Sequence, residues 1–179
     1  MKKIILTLLM GLPFSPIFAQ TYVELGASAV DYKNTFAGGR IETRQHVANV
    51  FIGREIAPNW SAELMTGLLK ISDDPVYLNG TEIKNLSIKF SNTYGVYLKK
   101  QQTVSEHISL FVRAGYASVK GSANYQGVSN SFATDGASYG LGVVYQINEK
   151  KYVNLNYLSF LEKDDLKIKV LGLHYGQRF

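Results

Sequence analysis

The sequence predicts an all-β chain, an eight-stranded antiparallel up-and-down transmembrane β-barrel, and three observations carry that prediction. Most of the chain divides into short segments in which apolar residues alternate with polar or small ones, the period-two pattern of strands with two different faces. Beyond the N-terminal segment, nothing approaches the roughly 18 consecutive apolar residues of a membrane helix, so a membrane location requires a closed barrel. The last nine residues put Leu171, Leu173, Tyr175 and Phe179 on one side and Gly172, His174, Gly176 and Arg178 on the other. One side suits lipid and the other a cramped polar lumen.

The start of the chain reads as an export signal. Met1-Lys2-Lys3 is a basic head, Ile4 to Met10 an apolar stretch too short to span a bilayer, and Pro13 and Pro16 break any helix before Ala19. Cleavage is expected after Ala19, although Ile17 stands where a smaller residue is preferred. The division is therefore residues 1–19 as signal peptide and 20–179 as barrel. Removing Lys2 and Lys3 lowers the net charge from +5 to +3. That mild basicity is scattered, which gives no nucleic-acid footprint. The chain has no cysteine, so disulfides are excluded. Its 12 Tyr and 9 Phe against one Trp, with mean hydropathy −0.04, are unlike a helical membrane protein.

The strands follow in order. Thr21 to Val30 alternates Val23, Leu25, Ala27 and Ala29 against Tyr22, Glu24, Gly26 and Ser28. A polar first loop, Asp31 to Gln45, leads to Val47–Glu55, and Ala57-Pro58-Asn59 makes a tight turn. Trp60 to Ile71 carries Glu63, Met65 and Gly67 inward, and Asp73-Asp74-Pro75 opens the second long connection. Over Ile83 to Lys99 the alternation puts Leu86, Ile88, Phe90, Tyr94 and Val96 outward and Ser87, Lys89, Ser91, Thr93 and Tyr97 inward. After the turn at Gln101–Glu106, Ile108 to Ala117 faces Phe111 and Arg113 inward, and a Gly-, Ser- and Asn-rich third loop runs from Gly121 to Phe132. Ser138 to Ile147, the turn Asn148–Lys151, and Val153 to Ser159 with Ser159 outward precede a brief loop, Glu162 to Leu166, and the closing strand.

This gives eight strands of about 9 to 12 residues with alternating long and short connections, the asymmetry of outer-membrane barrels. Glycines on the inward register relieve crowding in so narrow a lumen. Tyr94, Tyr116, Tyr139, Tyr145, Tyr157, Tyr175 and Trp60 lie outward, as an aromatic girdle.

Ile52-Gly53-Arg54-Glu55-Ile56-Ala57-Pro58-Asn59-Trp60-Ser61-Ala62-Glu63-Leu64 and the terminal Tyr175 to Phe179 resemble the small outer-membrane barrel family typified by the membrane domain of outer membrane protein A and by outer membrane protein X. Arg54 departs from the family, which usually has an aromatic there. The resemblance implies a monomer in the outer membrane of a Gram-negative cell. Its partners would be lipid, lipopolysaccharide and the barrel-assembly machinery, with Tyr175 and Phe179 as assembly signal.

The inward ionisable groups, Glu24, Glu63, Lys89 and Arg113 with His174 and Arg178 below them, should pair across a poorly hydrated lumen. The resemblance singles out Glu63 and Arg113 as the central pair. A plug of the lumen is the first reading, and a narrow ion channel the alternative.

His107-Ile108-Ser109 has the spacing of a lipid-modifying barrel enzyme. Its place at the periplasmic end, facing inward, argues against catalysis there. The expectation is no enzyme, no metal and no cofactor, since the His residues lack ligand spacing and no phosphate-binding loop occurs.

The expected role is structural or surface-interacting. The alternative is an adhesin that meets a host-surface ligand through Lys33, Phe36, Arg40 and Arg44 of the first loop and Tyr125 and Phe132 of the third. Deleting Phe179 should lower the folded yield in cells, read as the heat-modifiable band; unchanged assembly would count against Phe179 as a signal.

Overall fold

The computed structural model describes residues 20–70, 75–163 and 165–179. The export segment and the Asp73-Asp74 pair lie outside the described residues. The described residues form ten strands: β1 (Thr21–Phe36), β2 (Gly39–Ala57), β3 (Trp60–Lys70), β4 (Val76–Leu78), β5 (Thr81–Glu82), β6 (Leu86–Thr103), β7 (Ile108–Tyr125), β8 (Val128–Gln146), β9 (Lys151–Lys163) and β10 (Leu166–Arg178). All but β4 and β5 pair antiparallel in chain order, and β1 pairs with β10 to close an eight-stranded ring. Closure runs from Tyr22 opposite Arg178 to Asn34 opposite Leu166.

The stretches expected to be the first and third loops are sheet instead. β1 and β2 stay paired up to Phe36 opposite Gly39, which leaves Ala37-Gly38 as the turn. β7 and β8 stay paired up to Tyr125 opposite Val128. Between them Gln126 and Gly127 have φ of 50° and 85°, the two positive angles that a two-residue hairpin matching the strand twist requires. Asn79 and Gly80, at 52° and 84°, turn β4 into β5 in the same way. Barrel strands therefore run from 11 residues in β3 to 19 in β2 and β8.

The wall changes character along its length. In the half nearer the chain termini, Leu25, Ile52, Val96, Leu98, Leu110, Val112, Leu141, Leu155, Leu171 and Leu173 face outward and are exposed. Tyr94, Tyr116, Tyr139 and Tyr157, on the four adjacent strands β6 to β9, mark the upper limit of this belt on that half of the barrel, and Trp60, Tyr145 and Tyr175 stand at its lower limit. Above the tyrosines the polarity inverts. Lys33, Arg44, Lys120 and Lys169 now face out, while Val30, Tyr32, Val119, Phe160, Leu161, Ile168 and Val170 form a buried apolar core inside. The upper barrel is built like a water-soluble one.

Two β-bulges correct the expected register. Between Phe90 and Asn92 the pairing of β6 with β7 slips by one residue. Side chains therefore swap faces there. Ile88 is buried and Phe90 packs against the interior core, where both were expected outside, and Lys89 is exposed on the outer wall instead of lining the lumen. A second slip, where Ile168 faces Leu161 and Lys169 faces Ser159, buries Ser159, which was expected outward.

The lumen is narrow enough for glycines to serve as seats for rings. A methyl group at Gly53 would overlap the Tyr22 ring, at Gly95 the Tyr97 ring, and at Gly176 the Tyr152 ring. Gly53→Val should destabilise the refolded barrel by about 1–3 kcal/mol through overpacking. Gly136→Ala, where the added carbon meets only Leu161 at 3.9 Å, should change stability by less than about 0.5 kcal/mol. Urea unfolding in lipid vesicles measures both; equal effects would contradict the packed lumen.

Candidate functional site

The inward register of four strands delivers four charges to one level of the lumen. Glu24 comes from β1, Glu63 from β3, Lys99 from β6 and Arg113 from β7. Lys99 and Arg113 are directly opposite each other in the β6–β7 ladder, an unfavourable like-charged pair by itself. The two carboxylates reach across the bore to offset it. Lys99 Nζ lies 3.1 Å from Glu24 Oε1 and 3.3 Å from Glu63 Oε1. Arg113 lies 3.3 Å from Glu63 Oε2 through Nε and 3.7 Å from Glu24 Oε2 through Nη2. All four are at most 3% exposed.

Tyrosines from two further positions complete the carboxylate shells. The Tyr22 hydroxyl donates to Glu63 Oε1 at 2.6 Å and that of Tyr152 to Glu24 Oε1 at 2.9 Å. The cations rest on ring faces, Arg113 4.1 Å from the Phe51 centroid and Lys99 4.6 Å from that of Phe111. Arg113 approaches Glu63 off the hydrogen-bond axis. Its charge is thus balanced by Coulomb attraction and aromatic faces more than by aligned hydrogen bonds.

Polar and apolar layers stack on either side. His174 Nε2 donates to Asn49 Oδ1 at 2.7 Å, and its Nδ1 accepts from Asn156 at 2.9 Å, an assignment made from the partners' chemistry. Above them an apolar cavity of about 60 Å³ lies among Val30, Val47, Met65, Val119 and Phe160. Below the charges, toward the chain termini, a polar pocket of about 150 Å³ is lined by Ser61, Lys99, Tyr152 and Arg178. Arg178 closes that end by donating to Gln146 at 2.7 Å and covering the Tyr152 ring.

The structure thus brings together Glu24, Glu63 and Arg113 and leaves Lys89 outside, with Lys99 in its place. Lys99 was legible: it continues the inward parity of Thr93 and Tyr97. Of the residues expected in loops, Lys33, Arg40 and Arg44 stand on the outer faces of β1 and β2. They are ion-paired, Lys33 and Arg40 each 3.0 Å from Glu42, and Arg44 2.6 Å from Asp31. Phe36 and Tyr125 are exposed at hairpin tips. Phe132 is a correction, because it turns inward to meet Phe90 at 6.3 Å and Tyr32 at 6.5 Å. Tyr175 and Phe179 face outward and are exposed.

His107 is exposed and lies 6.0 Å from the Tyr145 ring, while the Ser109 hydroxyl donates to Thr103 at 3.4 Å. Among the described residues no group of His, Asp and Glu is gathered to hold a metal.

Removing Arg113 alone, as Arg113→Met, should cost roughly 3–5 kcal/mol, because it leaves two buried carboxylates with one cation. Combining it with Glu63→Gln should cost less than the sum of the two single changes. Equilibrium unfolding of the four proteins measures this, and strict additivity would mean that the groups are solvated independently.

Comparison with known proteins places this geometry. A family model described as outer membrane protein beta-barrel domain matches residues 4–179. No curated protein matches the chain. Among solved structures, the fold is similar to that of Ail, the attachment invasion locus protein of Yersinia pestis. That match has 18% identity and a TM-score of 0.64, over 91% of this chain and 100% of that one. Neisserial surface protein A follows with 11% identity and a TM-score of 0.68, over 89% and 97%. OprG of Pseudomonas aeruginosa has 14% and 0.64, over 90% and 96%. At such identities these likenesses concern the fold. With the family model spanning nearly the whole chain, the protein belongs to the outer membrane protein β-barrel family.

Proposed function

We propose that this chain is a plugged, non-enzymatic outer-membrane barrel whose work is done by the stiff hairpins it holds above the membrane. The observation that carries the reading is the buried cluster Glu24, Glu63, Lys99 and Arg113, which fills the bore at the level of the lipid-facing belt. Eight strands leave a lumen just wide enough for side chains, and charges neutralised by each other and covered by rings offer no aqueous path. Above the belt, paired strands in place of loops fix the hairpin tips in position. A non-enzymatic role agrees with His107 and Ser109 lying at the start of β7, far from the tips.

A surface-interaction role is favoured over a purely structural one by the tips themselves. Phe36, Tyr77, Tyr125 and Val128 are exposed there, on a part of the barrel whose outer face is otherwise polar. Exposed aromatic and aliphatic anchors on a rigid support suit contact with a host-surface ligand, since such residues dominate binding energy at interfaces.

In planar bilayers the wild type should show no stable single-channel steps; a large, steady conductance would replace the plug with a channel. Tyr125→Ser with Val128→Ser should weaken attachment of expressing cells to host-cell layers severalfold at unchanged surface level. Equal attachment would leave the structural role alone.

A further inference from the structure

We propose that the shelf formed where the β1–β2 and β4–β5 hairpin tips meet binds an uncharged sugar ring, stacked on Phe36 and hydrogen-bonded by Asn79. This rests on the reading of the hairpin tips as contact points and gives one of them a ligand class.

Two glycines and a reciprocal pair of hydrogen bonds build the shelf. The Phe36 ring folds back over Gly38, where an added Cβ would lie 2.9 Å from it. One part of the ring is thereby backed by main chain, while the residue stays 45% exposed. Gly39, at a φ of 140°, passes beneath the Asn79 side chain, and a Cβ there would lie 2.5 Å from Asn79 Nδ2. The Asn79 N–H donates to the Arg40 carbonyl and the Arg40 N–H donates to Asn79 Oδ1, each at 2.9 Å. A backbone N–H can only donate, so the atom it meets is the amide oxygen, and the two Nδ2 protons are left for an outside acceptor. Thr35, Phe36, Ala37, Gly39, Arg40 and Asn79 line the resulting recess of about 540 Å³, which opens to solvent.

The occupant follows from what this recess offers. A pyranose has a face of C–H groups and an edge of hydroxyls, each of them both donor and acceptor. The Phe36 ring suits the first, and Asn79 Nδ2 with the Thr35 hydroxyl suits the second. The two cations at this rim are already engaged, since Lys33 and Arg40 each lie 3.0 Å from Glu42. The hydrogen bond from Lys33, with Arg40 beside it, holds the Glu42 carboxyl below its usual range, so it stays ionised and an acidic sugar would have to compete with it. A protein partner needs roughly 800 Å² of contact on each side, whereas here a single ring is bordered by turn backbone and amides. The β7–β8 tip, from Gly121 to Thr134, also carries no acidic or basic residue.

The test uses the mature full-length protein in phospholipid nanodiscs, applied to an array of glycans ending in glucose, galactose, mannose and their N-acetylated forms, beside sialylated and sulfated counterparts. Heat-modifiable mobility reports folding of every variant. The wild type should bind at least one uncharged glycan, and its sialylated or sulfated form more weakly. Phe36→Ser should weaken that binding about tenfold by removing the aromatic face, and Phe36→Tyr should preserve it. Asn79→Asp keeps the acceptor for Arg40 and the turn conformation but loses the Nδ2 donors, and should cost roughly threefold. K150Q/K151Q, at the opposite end of the barrel, should bind as the wild type does.

Binding to no glycan, undiminished binding by folded Phe36→Ser, or a preference for the acidic forms overturns the sugar site. Expressing cells that attach equally to intact host layers and to layers stripped by glycosidases would identify a protein partner, which overturns the sugar assignment and leaves the surface role standing. Wild-type cells that attach to neither layer would instead overturn the surface role beneath it.

Discussion

The ring of hydrogen bonds closed by β1 and β10 is the constraint from which the rest of the molecule follows. In hydrocarbon every backbone amide must find a partner within the protein, and the thirteen consecutive paired positions from Tyr22–Arg178 to Asn34–Leu166 meet that demand through the belt and carry the seam on above it, where the first and last described strands join. Eight strands then fix a bore that holds side chains and little else. Each inward position becomes a packing problem. Large rings at Tyr22, Tyr97 and Tyr152 are accommodated by Gly53, Gly95 and Gly176, and each inward charge must find its counter-charge across the bore.

The cluster of Glu24, Glu63, Lys99 and Arg113 is best understood as a device for uniqueness. Burying four charges costs several kcal/mol per ion, and their mutual attraction returns that only with good geometry. Apolar residues of the same volume would fill the lumen as well. Charges contributed by β1, β3, β6 and β7, however, meet only when those strands hold one register, because a slip of one residue turns each side chain to the lipid. Tyr22 and Tyr152 reinforce this by tying their hydroxyls to the same two carboxylates.

Much of this was legible in the sequence, and what was not has a common cause. The lipid-facing half shows plain alternation, so the faces of β1, β2, β3, β7, β8 and β10 there follow from parity alone. Above the tyrosine girdle the alternation continues with its meaning reversed: Lys33 and Arg44 outside, Val30, Tyr32 and Phe132 inside. Read with the belt's convention, such segments look like polar loops holding stray aromatics, which is why Asp31–Gln45 and Gly121–Phe132 passed for loops. The bulge at Phe90–Asn92 leaves no mark in composition, and parity carried across it put Lys89 inside. Lys99, on the near side of that bulge, needed only the parity of Tyr97 to be placed.

The account's central claim is that one continuous barrel changes polarity at the tyrosine girdle. Spin labels placed singly at each position of β7 from Ile108 to Tyr125, in the protein reconstituted into vesicles, test it most directly. Even-numbered positions up to Tyr116 should be accessible to oxygen in the lipid. From Ser118 to Asn124 the even positions should be accessible to a water-soluble relaxation agent, with the odd positions from Phe111 to Ala123 protected and Tyr125, at the hairpin tip, accessible. Loss of the two-residue period beyond Ser118, or lipid accessibility persisting to Asn124, would contradict it.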